Sequence, residues 1–382
     1  MAQASTPRWK VPLADVVISE SDIDSVASVY RSGWLTQGPR VRSFEEAVEA
    51  YVGAPHAIAV ASCTAALHLM AAASGVGPGD EVIMPALTFV ATANAVAYTG
   101  ATPVFADIVS PAEPWLDPDD VASRISPRTR AIMSMAYGGH PGQSRALRAL
   151  AGEHGLLFLE DAAHALGTRL AEGHVGTLGV AGAYSFFSNK NLPLGEGGMV
   201  VCADEALAAR LRLLRSHGMT TLSWDRHRGH ASGYDVVALG FNYRIDEARC
   251  ALGLRRLERL DADNARRARI DARYRTLLAD VPGVGTTLRS ESAETLAHHL
   301  FTVVLDVRLD RDAVRAELAT AGIQTSIHYP PAHRFEIYAP SAPVLPVTDE
   351  YSGRTVTLPL FPHMTEDQTD LVVAELREAC RS

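Results

Sequence analysis

The chain has 382 residues, 47% of them apolar and 21% charged, which is the composition of a globular protein with one large core and room for a smaller domain. Its formal net charge of −9 argues against nucleic acid as a partner, because the nucleic-acid backbone is itself strongly negative. The first ten residues carry no basic region followed by an apolar stretch, so no signal peptide is expected.

Residues 50–79 contain no Asp, Glu, Lys or Arg, which raises the question of a membrane segment. Polar residues and breaks at Gly and Pro interrupt this stretch, and large aliphatic residues are few. A buried strand, a turn and a helix therefore fit it better than a membrane span. We expect a cytoplasmic protein that does not associate with a membrane.

Short apolar runs alternate with helical patterns through the first two-thirds of the chain. This alternation predicts an α/β fold with a mainly parallel seven-stranded sheet sandwiched by helices. The runs are apolar throughout, as expected for strands buried on both faces. Helical patterns include Ala65–Ala73 and Ser144–His154. The predicted strands are Ala57–Val60, Glu81–Met84, Pro103–Ala106, Ala131–Met135, Leu156–Leu159, Ala183–Phe187 and Met199–Cys202.

The last third of the chain predicts a smaller α/β domain. A long Arg-rich helical pattern, Ile245–Leu278, would lead into it. We divide the chain into an N-terminal arm with a large cofactor-binding domain, residues 1–250, and a small C-terminal domain, residues 251–382. The small domain would contain a strand at Leu300–Leu305 and helices at Arg311–Ala321 and Thr365–Cys380.

Lysine is almost absent from the chain: of the 35 basic residues only Lys10 and Lys190 are lysines. Arg replaces Lys on most surfaces, but it cannot form an imine, because its guanidinium stays protonated. Lys10 lies in an N-terminal arm that we expect to be mobile, whereas Lys190 lies in a loop rich in Gly and Asn. A GC-rich genome would also produce this bias, but the bias singles out Lys190 as a candidate for imine chemistry.

Imine chemistry suggests pyridoxal phosphate, which needs an amine, a carboxylate for the pyridine nitrogen, a phosphate cradle and an aromatic side chain on the ring. The cradle would be the helix N-terminus at Cys63 and Thr64, where free backbone N–H groups and the helix dipole favour an anion. Thr64 would add a hydroxyl group. An ordinary Ser or Thr helix cap explains this segment equally well.

The other requirements have candidates near the ends of predicted strands. Asp161 would hold the pyridine nitrogen, since ligands in such sheets bind at the carboxyl ends of strands, although a helix cap is the simpler explanation. His164 would contact the ring oxygen, although a lone His is more often structural. Ser185 would reach the phosphate. Phe89 would stack on the ring, but a core Phe would give the same sequence pattern.

Competing motifs are missing from the sequence. It contains no G-x-G-x-x-G, no G-x-x-x-x-G-K-[ST], no H-E-x-x-H and no G-x-S-x-G. The four cysteines are far apart and favour reduced thiols over disulfides or a zinc ribbon. His217, His227 and His230 lack acidic or Cys partners at ligand spacing, so we expect them to be solvated and expect no metal site.

The combination of motifs extends nearly from end to end: Gly33–Pro39, Ser62–Leu69, Gly79–Ile83, Thr88–Thr92, Glu160–Gly167, the Lys190 segment with Gly195–Gly198, Gly240–Arg244 and Ile327–Pro331. Together these segments resemble the DegT/DnrJ/EryC1/StrS family, sugar aminotransferases of the fold-type-I pyridoxal-phosphate superfamily, to which aspartate aminotransferase belongs.

The resemblance implies a homodimer whose active sites lie at the subunit interface. Asn242 would then contact the cofactor phosphate bound to the partner subunit, and His328 and Tyr329 would lie near the substrate. Ala136 and Gln143 stand where many members carry His and Asp, which puts the contacts usually made there in doubt.

These observations predict transamination. The resemblance implies L-glutamate as the amino donor that would displace Lys190. The freed amine of Lys190 would then transfer the proton, while Asp161 would keep the ring nitrogen protonated. The expected acceptor is a nucleotide-linked 4-keto-6-deoxyhexose, because the Gly195–Gly198 turn resembles that of 4-aminating members. A 3-keto sugar nucleotide and an inosose (a cyclitol) stay open as acceptors. So do a sugar dehydratase, which Lys190 disfavours because that branch carries His there, and a non-catalytic pyridoxal-phosphate-binding regulator.

Overall fold

The computed structural model describes residues 9–221, 233–288 and 293–381, and a seven-stranded sheet lies at its centre. The strands of the first part of the chain are β1 (His56–Val60), β2 (Glu81–Pro85), β3 (Thr102–Ala106), β4 (Thr129–Met135), β5 (Leu157–Asp161), β6 (Arg169–Leu170), β7 (Gly173–His174), β8 (Ala181–Ser185) and β9 (Gly198–Cys202). Of these, β6 and β7 form a separate small hairpin.

The strand order of the large sheet is β1-β9-β8-β5-β4-β2-β3. Pairing is parallel from β8 through β5, β4 and β2 to β3, whereas β9 is antiparallel to both of its neighbours, β8 and β1. The other six strands therefore run in one direction, and their carboxyl ends meet at one edge. This sheet confirms the predicted mainly parallel α/β fold.

Helices cover both faces of this sheet. In chain order, the helices of the described residues are α1 (Glu20–Ser32), α2 (Pro39–Val52), α3 (Cys63–Ala73), α4 (Val90–Ala97), α5 (Pro118–Ser123), α6 (Ser144–Glu153), α7 (Glu205–Arg215), α8 (Glu247–Leu257), α9 (Leu260–Leu278), α10 (Arg311–Thr320), α11 (Pro346–Arg354) and α12 (Glu366–Ala379). Of these, α10 and α12 pack in a separate C-terminal core.

Alternation along the strands explains the two layers of helices. In β1, Ile58 and Val60 pack in one core with α3, α4 and α7, whereas Ala57 and Ala59 pack in another with α2 and α6. Successive residues of a strand point to opposite faces, so a sheet covered on both sides needs apolar residues at every position.

The C-terminal part of the chain has its own antiparallel sheet of β10 (Val284–Thr286), β11 (Phe301–Leu305) and β12 (Thr355–Leu358). Its core takes in Ile270 and Tyr274 of α9 as well as apolar residues of α10 and α12. The helical pattern expected over Ile245–Leu278 is two helices, because the chain turns at Glu258 and Arg259. The division of the chain at residue 250 stays a prediction.

The N-terminal segment is held more firmly than we expected for a mobile arm. The backbone N–H of Lys10 donates to the carbonyl of Gly322 at 2.9 Å, and Val11 is fully buried in the C-terminal core. Among the helices of the described ranges, we find none with both the length and the apolar character needed to span a bilayer.

Gly198, the first residue of β9, lies against the turn that precedes α3. A Cβ at this position would lie 2.5 Å from the carbonyl oxygen of Ser62 and 2.8 Å from the amide nitrogen of Cys63. Both are backbone atoms, so they cannot move aside by changing a rotamer. Only glycine allows β9 to approach the N-terminus of α3 this closely.

We expect Gly198→Ala to destabilise the protein by about 1–3 kcal/mol, because the added methyl group overpacks this contact. The matched control is Gly152→Ala in α6, where a Cβ meets nothing within 4 Å and where alanine should stabilise the helix by about 0.5–1 kcal/mol. Thermal and denaturant unfolding measure both changes. Equal stability of the Gly198→Ala protein and the unmodified protein would contradict the packing argument.

Candidate active site

A cavity of about 390 Å³ opens at the edge where the carboxyl ends of the parallel strands meet. Asp161 is the last residue of β5, Ser185 is the last residue of β8, and Cys63 follows β1 by three residues. Open α/β sheets bind ligands at this edge. The structure brings nine of the ten predicted site residues to this cavity: Cys63, Thr64, Phe89, Asp161, His164, Ser185, Lys190, His328 and Tyr329.

The carboxyl group of Asp161 is buried at the base of the cavity and is held by two hydrogen bonds. Thr92 Oγ donates to one carboxyl oxygen at 2.7 Å, and the backbone N–H of Ala163 donates to the other at 3.1 Å. Burial raises the pKa of Asp161, while these donors and Lys190 act in the opposite direction. A cation placed against this carboxylate would be strongly favoured, because it would compensate a buried negative charge.

The neighbouring residue, Glu160, points to the opposite face of the sheet and has a structural role. Its two carboxyl oxygens accept backbone N–H groups of Gly176, Leu178 and Gly179 at 2.7–2.8 Å. Burial raises the pKa of Glu160 to about 7. The two adjacent acids at the end of β5 are thus separated by the alternation of the strand, and Asp161 is the one that faces the cavity.

His164 has a fixed tautomer. The backbone N–H of Gly138 donates to its Nδ1 at 3.2 Å, so the proton is on Nε2, which donates to the hydroxyl oxygen of Tyr329 at 2.9 Å. Burial and Lys190 lower the pKa of His164, so the ring stays neutral. The hydroxyl proton of Tyr329 is then free to be donated to another group.

The N-terminus of α3 has the geometry of an anion site. Ser62 caps the helix by accepting the N–H of Ala65 at 3.1 Å, and the first N–H bonded within the helix is that of Ala66. The amides of Cys63 and Thr64 come before that first bond, and both residues line the cavity together with Ser185. The cap and the anion site, which were alternatives in the sequence, are compatible because Ser62 uses only one N–H.

Phe89 is not a core residue. Its side chain is at the start of α4, 54% of its surface is exposed, and its ring centroid lies 5.8 Å from that of Tyr329. An aromatic face that borders a cavity and is this exposed is suited to stack on a flat ligand.

The amine of Lys190 lies in the cavity near Asp161. Burial of this amine lowers the pKa of Lys190 to about 8, while Asp161 acts in the opposite direction. About a tenth of the amine is then unprotonated at pH 7, far more than for an ordinary lysine, and an unprotonated amine is what nucleophilic attack on a carbonyl requires.

Sequence reasoning missed two residues that contact the central groups. Thr92 donates to Asp161, and His299 places Nε2 3.4 Å from Lys190 Nζ. The Thr88–Thr92 motif contained Thr92, but the sequence gave no reason to join it to Asp161. The pair His298-His299 before β11 was the visible signal for His299, which is buried.

The tenth predicted residue, Asn242, is not part of this cavity. It is exposed, and it forms a bridge with Ser216 beside Tyr243, whose carbonyl accepts the N–H of Ala61. Its contact with a partner subunit stays a prediction. His227 and His230 lie outside the described residues, and the described ranges contain no group of three or more His, Cys, Asp or Glu side chains that could hold a metal ion.

The chemistry of this cavity fits pyridoxal phosphate. An amine with a lowered pKa, a buried carboxylate that favours a cation, an aromatic face and an anion-binding helix N-terminus border the same space. They match the four groups that this cofactor requires: an amine, a carboxylate for the pyridine nitrogen, an aromatic side chain on the ring and a phosphate cradle.

Comparison with known proteins agrees with this geometry. The model of the DegT/DnrJ/EryC1/StrS aminotransferase family matches residues 16–377. The spore coat polysaccharide biosynthesis protein SpsC of Bacillus subtilis (strain 168) is 39% identical in an alignment of 378 positions that covers 96% of this chain and 96% of that protein.

Two solved structures extend the likeness to three dimensions. The crystal structure of S. venezuelae DesV in complex with a ketimine intermediate has a TM-score of 0.90 at 37% identity and covers 99% of this chain and 100% of that one. The structure of DesI in the presence of its TDP-sugar product has a TM-score of 0.88 at 35% identity, with coverage of 99% and 94%. The chain is therefore an aminotransferase with the fold-type-I architecture, and it belongs to the DegT/DnrJ/EryC1/StrS family, whose members depend on pyridoxal phosphate.

Proposed function

We propose that this aminotransferase moves an amino group from L-glutamate to a nucleotide-linked keto sugar, an NDP-4-keto-6-deoxyhexose, in amino-sugar biosynthesis. The observation that carries the proposal is the position of the Lys190 amine in one cavity with Asp161 and the N-terminus of α3. The sugar is supported by DesI, whose structure was determined with a TDP-sugar product, and by SpsC, which serves polysaccharide biosynthesis. The Gly195–Gly198 turn supports amination at carbon 4.

We assign the cofactor contacts to the residues that line the cavity. Bound pyridoxal phosphate supplies a carbonyl carbon that forms imines with amines and a ring that takes up electrons. Lys190 would form the covalent bond to that carbonyl carbon, and Asp161 would hold the pyridine nitrogen protonated. Cys63, Thr64 and Ser185 would bind the phosphate, Phe89 would stack on the ring, and His164 would contact the ring oxygen. Burial and Asp161 raise the pKa of Cys63, so its side chain stays a neutral thiol.

Lys190 also carries the proton in this proposal. Once an amino donor has displaced it, its free amine would take the proton from the Cα of the donor as general base and deliver it to the cofactor carbon as general acid. A lowered pKa suits both directions, because the group then changes its protonation state close to neutral pH. His328 and Tyr329 line the same cavity, and we assign them to substrate binding.

We further propose that the enzyme is a cytoplasmic homodimer with shared active sites, in which Asn242 contacts the cofactor phosphate bound to the partner subunit. Two observations support this proposal. Asn242 is exposed and does not line the cavity of its own chain. Its neighbour Tyr243 accepts a hydrogen bond from the backbone N–H of Ala61, just before the N-terminus of α3.

Mixing two inactive variants tests the shared site. Lys190→Ala removes the amine and Asn242→Ala weakens the phosphate contact, so each variant alone should lose most of its activity. If Asn242 acts across the interface, refolding the two together should restore part of the activity, since each mixed dimer contains one site with both residues intact. Activity no higher than the average of the two variants would contradict the shared site, and light scattering of the unmodified protein checks the dimer itself.

The substrate is tested by mass spectrometry of the products from a panel of nucleotide-linked 4-keto and 3-keto sugars and an inosose, each incubated with L-glutamate and enzyme. We expect the 4-amino sugar nucleotide together with 2-oxoglutarate, at a rate at least tenfold above the other acceptors. Formation of 2-oxoglutarate without a 4-amino product would overturn the sugar assignment while retaining glutamate as donor. A 3-amino sugar or an aminated cyclitol would replace the assignment directly.

A further inference from the structure

We infer that His299 is a positioning residue for Lys190: its unprotonated Nε2 accepts a hydrogen bond from the Lys190 amine and fixes where that amine lies. The inference deepens the proposed function and rests on it for the role of Lys190 in transfer. It follows from four consecutive hydrogen bonds that link Arg267, Asn264, Asn191, His299 and Lys190. The donor and acceptor of each bond are set by the chemistry of its groups.

The hydrogen-bond directions are set first at Asn264 of α9. Arg267 Nη1 donates to its Oδ1 at 3.3 Å, and its Nδ2 donates to the carbonyl of Leu166 at 3.2 Å. A guanidinium only donates and a carbonyl only accepts. The side-chain amide of Asn264 therefore has a single allowed orientation, with its oxygen towards Arg267.

The same logic fixes Asn191, which follows Lys190 in the chain. Its Nδ2 donates to Oδ1 of Asn264 at 2.7 Å and to the carbonyl of Ala297 at 2.6 Å. Both partners are acceptors, so the nitrogen of Asn191 must face them and its oxygen must face the other way. That oxygen lies 2.9 Å from Nδ1 of His299.

The tautomer of His299 is thereby determined. Because the amide oxygen of Asn191 only accepts, Nδ1 of His299 carries the proton and Nε2 has a free lone pair. Nε2 lies 3.4 Å from Lys190 Nζ. Burial, together with Lys190, His328 and Arg267, lowers the pKa of His299, so the ring stays neutral. A neutral ring with this tautomer can only accept at the lysine.

Other titratable groups face the same amine but do not duplicate this contact. They are Cys63, Asp161, His164, His328 and Tyr329. Nδ1 of His164 accepts from Gly138 and its Nε2 donates to Tyr329, so neither nitrogen of that ring has a lone pair free for the amine. Asp161 attracts the charge of Lys190 and already accepts from Thr92 and Ala163. His328 uses its Nδ1 in a hydrogen bond with Thr357 Oγ1 at 2.9 Å, and the imidazole nitrogen within hydrogen-bond distance of Nζ is Nε2 of His299.

The consequence concerns the amine when it is not bonded to the cofactor. A lysine side chain has four rotatable bonds and loses much conformational freedom when it is held. An acceptor at fixed distance keeps the amine in the cavity after an amino donor has displaced it. It also stabilises the ammonium form, because a buried N–H group without an acceptor is unfavourable.

The scarcity of lysine allows a direct test on cofactor-free protein. Protein labelled with ¹⁵N at lysine Nζ gives signals from Lys10 and Lys190 alone, and a pH titration followed by NMR measures the pKa of the Lys190 amine. We expect His299→Leu to lower this pKa by about one unit, a tenfold change in the protonation equilibrium, because the ammonium loses an acceptor. The Lys10 signal should not change and serves as the internal control.

His299→Gln is the matched variant, because its side-chain oxygen reaches the position of Nε2 and can accept in its place. We expect the pKa of Lys190 in this variant to stay close to that of the unmodified protein. In the loaded enzyme, kcat with glutamate should fall roughly ten- to hundredfold in His299→Leu with little change in KM, and should largely recover in His299→Gln.

An unchanged pKa of Lys190 in His299→Leu, or an equal decrease in the Leu and Gln variants, would overturn the inference. If the Leu variant does not fold, the Gln variant decides alone: a retained pKa supports the inference and a lowered pKa contradicts it. The titration needs no turnover, so an enzyme that shows the pKa effect but makes no 2-oxoglutarate from glutamate would refute the proposed function and leave the role of His299 intact.

Discussion

Burial acts in opposite directions on the two ionisable groups at the centre of this site, and the rest of the site depends on that opposition. It raises the pKa of the Asp161 carboxyl group and lowers the pKa of the Lys190 amine to about 8, while the charge on each favours the charged form of the other. The carboxylate is left in need of a cation, and the amine is left close to losing its proton. A ligand with a protonated pyridine nitrogen and an imine-forming carbonyl would suit both groups: the nitrogen would pair with the carboxylate, and the carbonyl would react with the amine.

The parallel direction of the strands and the pleat of the sheet bring these two groups to the same cavity. Parallel strands bring the ends of β5 and β8 to one edge, and alternation along β5 sends Asp161 into the cavity while Glu160 fastens the loop on the opposite face. Antiparallel β9 packs beside β8, and Gly198 lets β9 lie within contact distance of the turn that begins α3. The N-terminus of α3, the carboxylate and the lysine loop are therefore positioned by backbone geometry.

Much of this could be predicted from the sequence, because the signals are local. Uninterrupted apolar runs predicted the strands. The polar residues at or just after the strand ends predicted that Asp161, Ser185, Cys63 and Thr64 belong to one site, and all four line the same cavity. The use of Arg in place of Lys pointed to Lys190. The break between α8 and α9 was not predicted, since the helical spacing of leucines continues across Glu258 and Arg259.

Other features depend on contacts between distant segments, and the sequence could not reveal them. His299 reaches Lys190 from 109 positions further along the chain, and Thr92 reaches Asp161 across 69 positions. The sequence context of Phe89 fits a core residue, and only the exposure of its ring in the structure shows that it borders the cavity instead. The proposed role of Asn242 depends on a contact with a second copy of the chain, which the sequence of one chain cannot reveal.

The covalent role of Lys190 is the claim on which the account rests, and borohydride reduction of cofactor-loaded protein followed by peptide mapping measures it directly. A Lys10→Arg protein has Lys190 as its single lysine, so that a side-chain label in it has one possible site. The account predicts one reduced pyridoxyl group per chain on the peptide that contains Lys190, in this protein and in the unmodified one. A label on Lys10 in the unmodified protein, or none on Lys190 in protein that has bound the cofactor, would contradict it.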